Sequence, residues 1–188
     1  MNRRTVAALS AGLIVAIALV AIAVYFLKPS RQLQNASQAP VQGRAAIGQT
    51  APEFVVATTG GLYDLNKGSK PVFLEVFATW CPHCARETAV VDRLYENYGS
   101  EVDFVGVSGS NTGMDNTSPA TQLDVVDWIQ KYGAKYPIAF DPSLNVANSY
   151  LQGAFPTLAV IDRNKKIVYL NTGEIPYGEL EAAIKKTL

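Results

Sequence analysis

The sequence predicts an α/β domain, a central sheet flanked by helices, joined to an apolar N-terminal segment. Three observations carry this expectation. Strand-like and helix-like apolar patterns alternate from Val72 to the C-terminus. The composition, 48% apolar and 17% charged over 188 residues with only two cysteines, suits one medium domain plus an appendage. That appendage is visible as an unbroken uncharged run near the start.

Taken in order, Arg3 and Arg4 precede a mainly apolar stretch from Thr5 to Leu27, closed by Lys28 and Pro29. At about 1.5 Å per residue a helix there spans roughly 34 Å, against about 30 Å for a bilayer's hydrocarbon core. Residues 1–28 are therefore expected to form a signal-anchor, a single transmembrane helix. A cleaved signal peptide is the competing reading, because Ala21-Ile22-Ala23 imitates a small-x-small site, but its apolar region would be only about 7–15 residues long. An anchor with a short basic head leaves that head in the cytoplasm, although Lys28 and Arg31 nearly balance Arg3 and Arg4. The remainder is then expected to be extracytoplasmic, periplasmic or on the outer face, where disulfides persist.

Residues 29–46 are polar, small and without periodicity, which reads as a flexible linker, and the folded domain is expected over 47–188. Within it the patterns predict a strand at Val72–Ala78, a helix at Pro82–Asn97, a strand at Val102–Ser108 and a helix at Thr121–Lys131. A strand at Ile138–Phe140, a short helix at Leu144–Tyr150, strands at Thr157–Ile161 and Lys166–Leu170, and a helix at Tyr177–Lys186 complete the series. Pro82 suits a first helical turn, and Val90, Val91, Leu94 and Tyr98 recur at the spacing of a buried face. The turn-rich segment from Gly109 to Pro119 reads as a surface connection.

The chemistry concentrates in Trp80-Cys81-Pro82-His83-Cys84. A strand that delivers two cysteines onto the first turn of a helix brings the sulfurs close enough to bond reversibly. Cys81, at the helix N-terminus, meets unpaired backbone N–H groups and the positive end of the helix dipole, which favour thiolate, so it is the expected nucleophile. Cys84, one turn on, is the expected resolving thiol. A static disulfide between residues so close would add little loop-closure stabilisation. A closed zinc site needs four ligands, and His83, the only histidine, completes no such set; no metal and no cofactor beyond the Cys81–Cys84 disulfide is expected. As imidazolium, His83 would favour thiolate further and make the couple more oxidising, a redox-tuning role.

Gly48-Gln49-Thr50-Ala51-Pro52-Glu53-Phe54, Phe77-Ala78-Thr79-Trp80-Cys81-Pro82-His83-Cys84 and Phe155-Pro156-Thr157 followed by Leu158-Ala159-Val160-Ile161-Asp162 stand in the order of the landmarks of the TlpA-like (ResA/CcmG-type), membrane-anchored thioredoxin family. The chain resembles that family from Ile47 to Leu188. The resemblance implies a thioredoxin-like fold with a central mixed sheet and a thiol–disulfide oxidoreductase that reduces exported proteins, with the haem-site cysteines of cytochrome c apoproteins as one client class in cytochrome c biogenesis. It further implies that Glu75, six residues before Cys81, relays a proton to or from Cys84; a carboxylate in so apolar a strand should be buried with a raised pKa. Alternation could instead turn Glu75 to solvent or pair it with Lys70. Phe155 and Pro156 match the family's cis-proline segment, which with Trp80 and Pro82 would border the substrate groove.

The Pro-His dipeptide also resembles that of the oxidant DsbA, so a DsbA-like thiol oxidant is the alternative. A peroxiredoxin is disfavoured because Ala78 stands three residues before Cys81 where a threonine is expected. A Sco-like copper-delivery protein is disfavoured because it needs a distal histidine. The partners expected are thiols and disulfides of exported proteins and a membrane electron-transfer partner. With 16 basic and 16 acidic residues and no basic run, no nucleic-acid partner is indicated.

Overall fold

The computed structural model describes residues 44–188. The expected anchor, and the linker up to residue 43, lie outside the described residues. Among the described residues no helix is long and apolar enough to cross a membrane. Packing is already established at Ala45, which is buried and donates its N–H to the Ser149 carbonyl at 2.8 Å.

Seven strands form one mixed sheet. In chain order these are β1 (Val55–Thr58), β2 (Gly61–Asp64), β3 (Val72–Phe77), β4 (Asp103–Ser108), β5 (Ile138–Phe140), β6 (Thr157–Ile161) and β7 (Ile167–Thr172), and their spatial order is β2-β1-β5-β4-β3-β6-β7. β3, β4 and β5 are parallel, whereas β6 and β7 on one side and β1 and β2 on the other run antiparallel to their neighbours. The helices are α1 (Pro82–Tyr98), α2 (Gln122–Tyr132), α3 (Asn145–Tyr150) and α4 (Tyr177–Lys185).

Every residue of β3 is buried, as befits a strand between a parallel and an antiparallel partner with both faces covered. Its alternation feeds two cores. Phe73 and Phe77 pack with Leu94 of α1, Trp128 of α2 and Leu180 of α4, while Leu74 and Val76 pack with Val105, Val107 and Tyr150 of α3. Glu75 shares the first face, because side chains two apart in a strand point the same way. The alternatives of a solvent-facing or Lys70-paired Glu75 are corrected by this burial, and Lys70 lies instead 3.9 Å from Asp103.

The expected elements match those found to within two residues at each end, with one omission. The β1–β2 hairpin was not expected. Both strands have only four residues, and they lie at the sheet edge where Val55 and Leu62 face solvent, so the hydrophobic alternation that announces a half-buried strand is missing. On α1, Val91 and Leu94 are fully buried, whereas Val90 and Tyr98 border the core.

Candidate active site

β3 ends beneath the site. A turn in which the Cys81 N–H donates to the Ala78 carbonyl at 3.0 Å hands the chain to α1, with Cys81 as the N-cap and Pro82 as the first helical residue. Proline costs nothing there, since the first N–H of a helix has no intrahelical partner. Both cysteines are free thiols. Cys81 is 5% exposed and Cys84 0%, so the chain gives the outside world one sulfur and withholds the other.

Around Cys81 the expected groove residues assemble from three parts of the chain. The Cys81 thiol lies 3.7 Å from the Phe155 carbonyl, and the Phe155–Pro156 peptide bond is cis. The Trp80 indole meets the Phe155 ring edge-on, with centroids 5.9 Å apart, and donates its Nε1–H to Ser110 Oγ at 2.8 Å. Ser110 sits in the segment expected to be a plain connection. That segment is instead stitched to α2: Asp124, which closes the capping box with Thr121, also accepts the Met114 N–H at 2.7 Å. Pro82 and His83 are exposed on the first turn of α1.

Behind Cys84 the surroundings are dry. Glu75 is 1% exposed; it accepts a hydrogen bond from the Tyr136 hydroxyl at 2.6 Å through Oε2, while Oε1 has no partner among the described residues. Burial pushes its pKa up to about 8, the Tyr136 hydrogen bond opposes the rise, and the charges of Glu87 and Asp92 add to it. Glu87, also buried, accepts the Ile175 N–H at 3.1 Å, and its Oε1 likewise has no partner among the described residues. Its pKa is raised to about 7, chiefly by burial, against the Ile175 hydrogen bond and with the Glu174 charge adding. The Cys84 thiol is pushed up strongly, first by burial and next by the Glu75 charge. Two carboxyl groups able to hold a proton near neutrality therefore share the interior with a thiol that must lose one before it can attack.

At the rim, three side chains form a cluster. Glu174 Oε1 lies 2.6 Å from His83 Nδ1 and 2.6 Å from Arg86 Nη2, and Arg86 Nε spans both carboxylate oxygens at 3.0 and 3.1 Å. Arg86 and His83 together hold the Glu174 carboxyl down to about 2, with the Arg86 hydrogen bond the larger cause.

Sequence reasoning missed Glu87, Tyr136, Arg86, Ser110 and Glu174. Glu87 carried a signal, since a residue three after Cys84 on a helix shares its face. Glu174 carried none, because 91 residues separate it from His83.

The Redoxin family model matches residues 46–186. The thiol–disulfide oxidoreductase ResA of Bacillus thuringiensis (strain Al Hakam) is 33% identical, the match covering 74% of this chain and 78% of that one. ResA of Geobacillus thermodenitrificans is 34% identical over 68% of this chain and 70% of its own. Among solved structures, a putative thiol:disulfide interchange protein DsbE from Chlorobium tepidum superposes with a TM-score of 0.65 at 24% identity, covering 76% of this chain and 98% of that one. StoA from Bacillus subtilis superposes at 0.59 and 19% identity, covering 70% and 96%. These superpositions establish the thioredoxin-like fold.

Proposed function

This chain belongs to the Redoxin family, and from that membership we propose that it reduces disulfides of exported proteins through the Cys81–Cys84 dithiol, held at a membrane by its N-terminal segment. It is a thiol–disulfide oxidoreductase, as its ResA relatives are named. The observation that carries the division of labour is the contrast between a slightly exposed Cys81 and a fully buried Cys84 backed by carboxyl groups, while the reducing direction rests on the likeness to ResA.

In this reading a client strand lies along the groove bordered by Trp80, Phe155 and Pro156, its disulfide next to Cys81. The Cys81 thiolate attacks one client sulfur, the client S–S bond breaks, and the departing sulfur leaves as thiolate and takes up a proton. Glu75, as carboxylate, accepts the Cys84 proton, and Cys84 attacks Cys81, forming the Cys81–Cys84 disulfide and releasing the second client thiol. One client disulfide becomes two thiols while the dithiol loses two electrons and two protons, which a membrane partner must return. The domain faces the extracytoplasmic side, and cytochrome c apoproteins are one client class.

The test is the reduction potential of the full chain equilibrated with glutathione or dithiothreitol buffers. A value near thioredoxin's, about −270 mV, is expected; one near about −120 mV would make the protein a DsbA-like oxidant. The roles are tested by trapping: Cys84→Ser should accumulate a mixed disulfide with a client peptide, and Cys81→Ser should form none. Equal trapping by both variants would undo the assignment.

A further inference from the structure

We propose that Glu174 is a positioning residue that clamps His83 and Arg86 and holds their polar ends away from Cys81, keeping a Pro-His active site reducing. The inference rests on the reductase reading above and concerns how that potential is set.

The clamp is built into the fold. Glu174 sits between β7 and α4 in a stretch fixed at both ends: the Gly173 N–H donates to the Pro156 carbonyl at 2.8 Å, and the Ile175 N–H donates to Glu87 at 3.1 Å. Gly173 turns the chain with φ of +91°, a conformation that side-chain-bearing residues rarely adopt. Between these anchors the Glu174 carboxylate meets His83 and Arg86, which stand on the first turns of α1, one and four residues beyond the Pro82 that follows Cys81.

A cation beside Cys81 stabilises the thiolate, hence the reduced form, and makes the couple a stronger oxidant. Arg86 stands five residues after Cys81, on the first turns of the helix that Cys81 caps. A carboxylate engaged at 2.6 Å by Arg86 Nη2 and by His83 Nδ1 opposes that effect through those two side chains: it offsets the guanidinium charge, and it ties the imidazole Nδ1 to itself. All three side chains are between 39% and 59% exposed, so the cluster is a poor device for stabilising the fold. Its consequence falls on the adjacent sulfur.

The experiment measures reduction potentials of the full chain and of Glu174→Gln, Glu174→Asp and the His83→Ala/Arg86→Ala pair with and without Glu174→Gln, in glutathione buffers at pH 7. Glu174→Gln should shift the equilibrium with glutathione about tenfold toward the dithiol, a rise of about 30 mV for a two-electron couple. Glu174→Asp should restore most of the parent value, and in the His83→Ala/Arg86→Ala background Glu174→Gln should shift the potential little. An unchanged or lowered potential in Glu174→Gln overturns the clamp, as does a full shift that persists without His83 and Arg86. The absolute potential of the parent chain decides the reductase reading separately. An oxidising parent would overturn that reading, while the difference between variants would still decide the clamp.

Discussion

The two sides of the Cys81–Cys84 pair handle charge in opposite ways. Behind Cys84, Glu75 and Glu87 are desolvated, and burial raises their pKa values to about 8 and about 7. At the rim, the half-exposed Glu174 accepts from Arg86 and lies 2.6 Å from His83 Nδ1, and its carboxyl falls to about 2. One amino acid thus serves as a proton store inside and as a fixed negative charge outside. The difference lies in surroundings, since burial penalises the charged form and a neighbouring cation rewards it.

Removing the inner proton acceptor should give the largest effect. Glu75→Gln is expected to slow release of the mixed disulfide on the order of a hundredfold, the usual worth of a positioned proton acceptor. Stopped-flow resolution rates check this, and an unaltered rate would remove Glu75 from the proton path. The same variant sharpens the contrast through stability. The folded protein keeps the Glu75 proton up to about pH 8 while the unfolded chain releases it near 4.5, so the unfolded state binds fewer protons in between and stability falls as pH rises through that window. Glu75→Gln should therefore gain on the parent with rising pH, reaching roughly 2–4 kcal/mol by pH 9 in denaturant unfolding. A gap that does not change with pH would contradict the raised value.

Tyr136→Phe strips Glu75 of its hydrogen-bond donor. An expected loss of about 1–3 kcal/mol follows from leaving a buried polar group unpaired, and the Glu75 pKa should rise further, since that hydrogen bond now holds it down. Unfolding curves at several pH values would report both, and a downward move of the titration would reverse the assignment. Ser110→Ala is the mildest change. It removes the acceptor of the Trp80 indole and of the Thr112 N–H, both neutral hydrogen bonds in a part-buried setting, so about 1 kcal/mol is expected in denaturant unfolding. A loss as large as that of Tyr136→Phe would mean that these groups are as costly to leave unpaired as the carboxyl of Glu75.

How legible these regions were follows from how local their causes are. Cys81, Pro82 and the run of β3 are consecutive, so the helix start and the buried strand could be read directly, and Glu75 stood out as a lone carboxyl in an apolar run whose burial the structure bears out. Glu87 was legible in principle from its helical spacing to Cys84. Tyr136, 61 residues from Glu75, and Glu174 reach the site only through sheet order and loop placement, which no local pattern encodes. The β1–β2 hairpin was hidden for a different reason: edge strands bury too little to impose a period on their side chains.

The carboxylate of Asp124 joins events that look separate along the chain. It closes the start of α2 and holds the Met114 amide, and the same loop supplies Ser110 to the indole beside the nucleophile. One carboxylate thus ties the start of a helix, the middle of a loop and, through that loop's serine, the indole next to the nucleophile into a single hydrogen-bonded run.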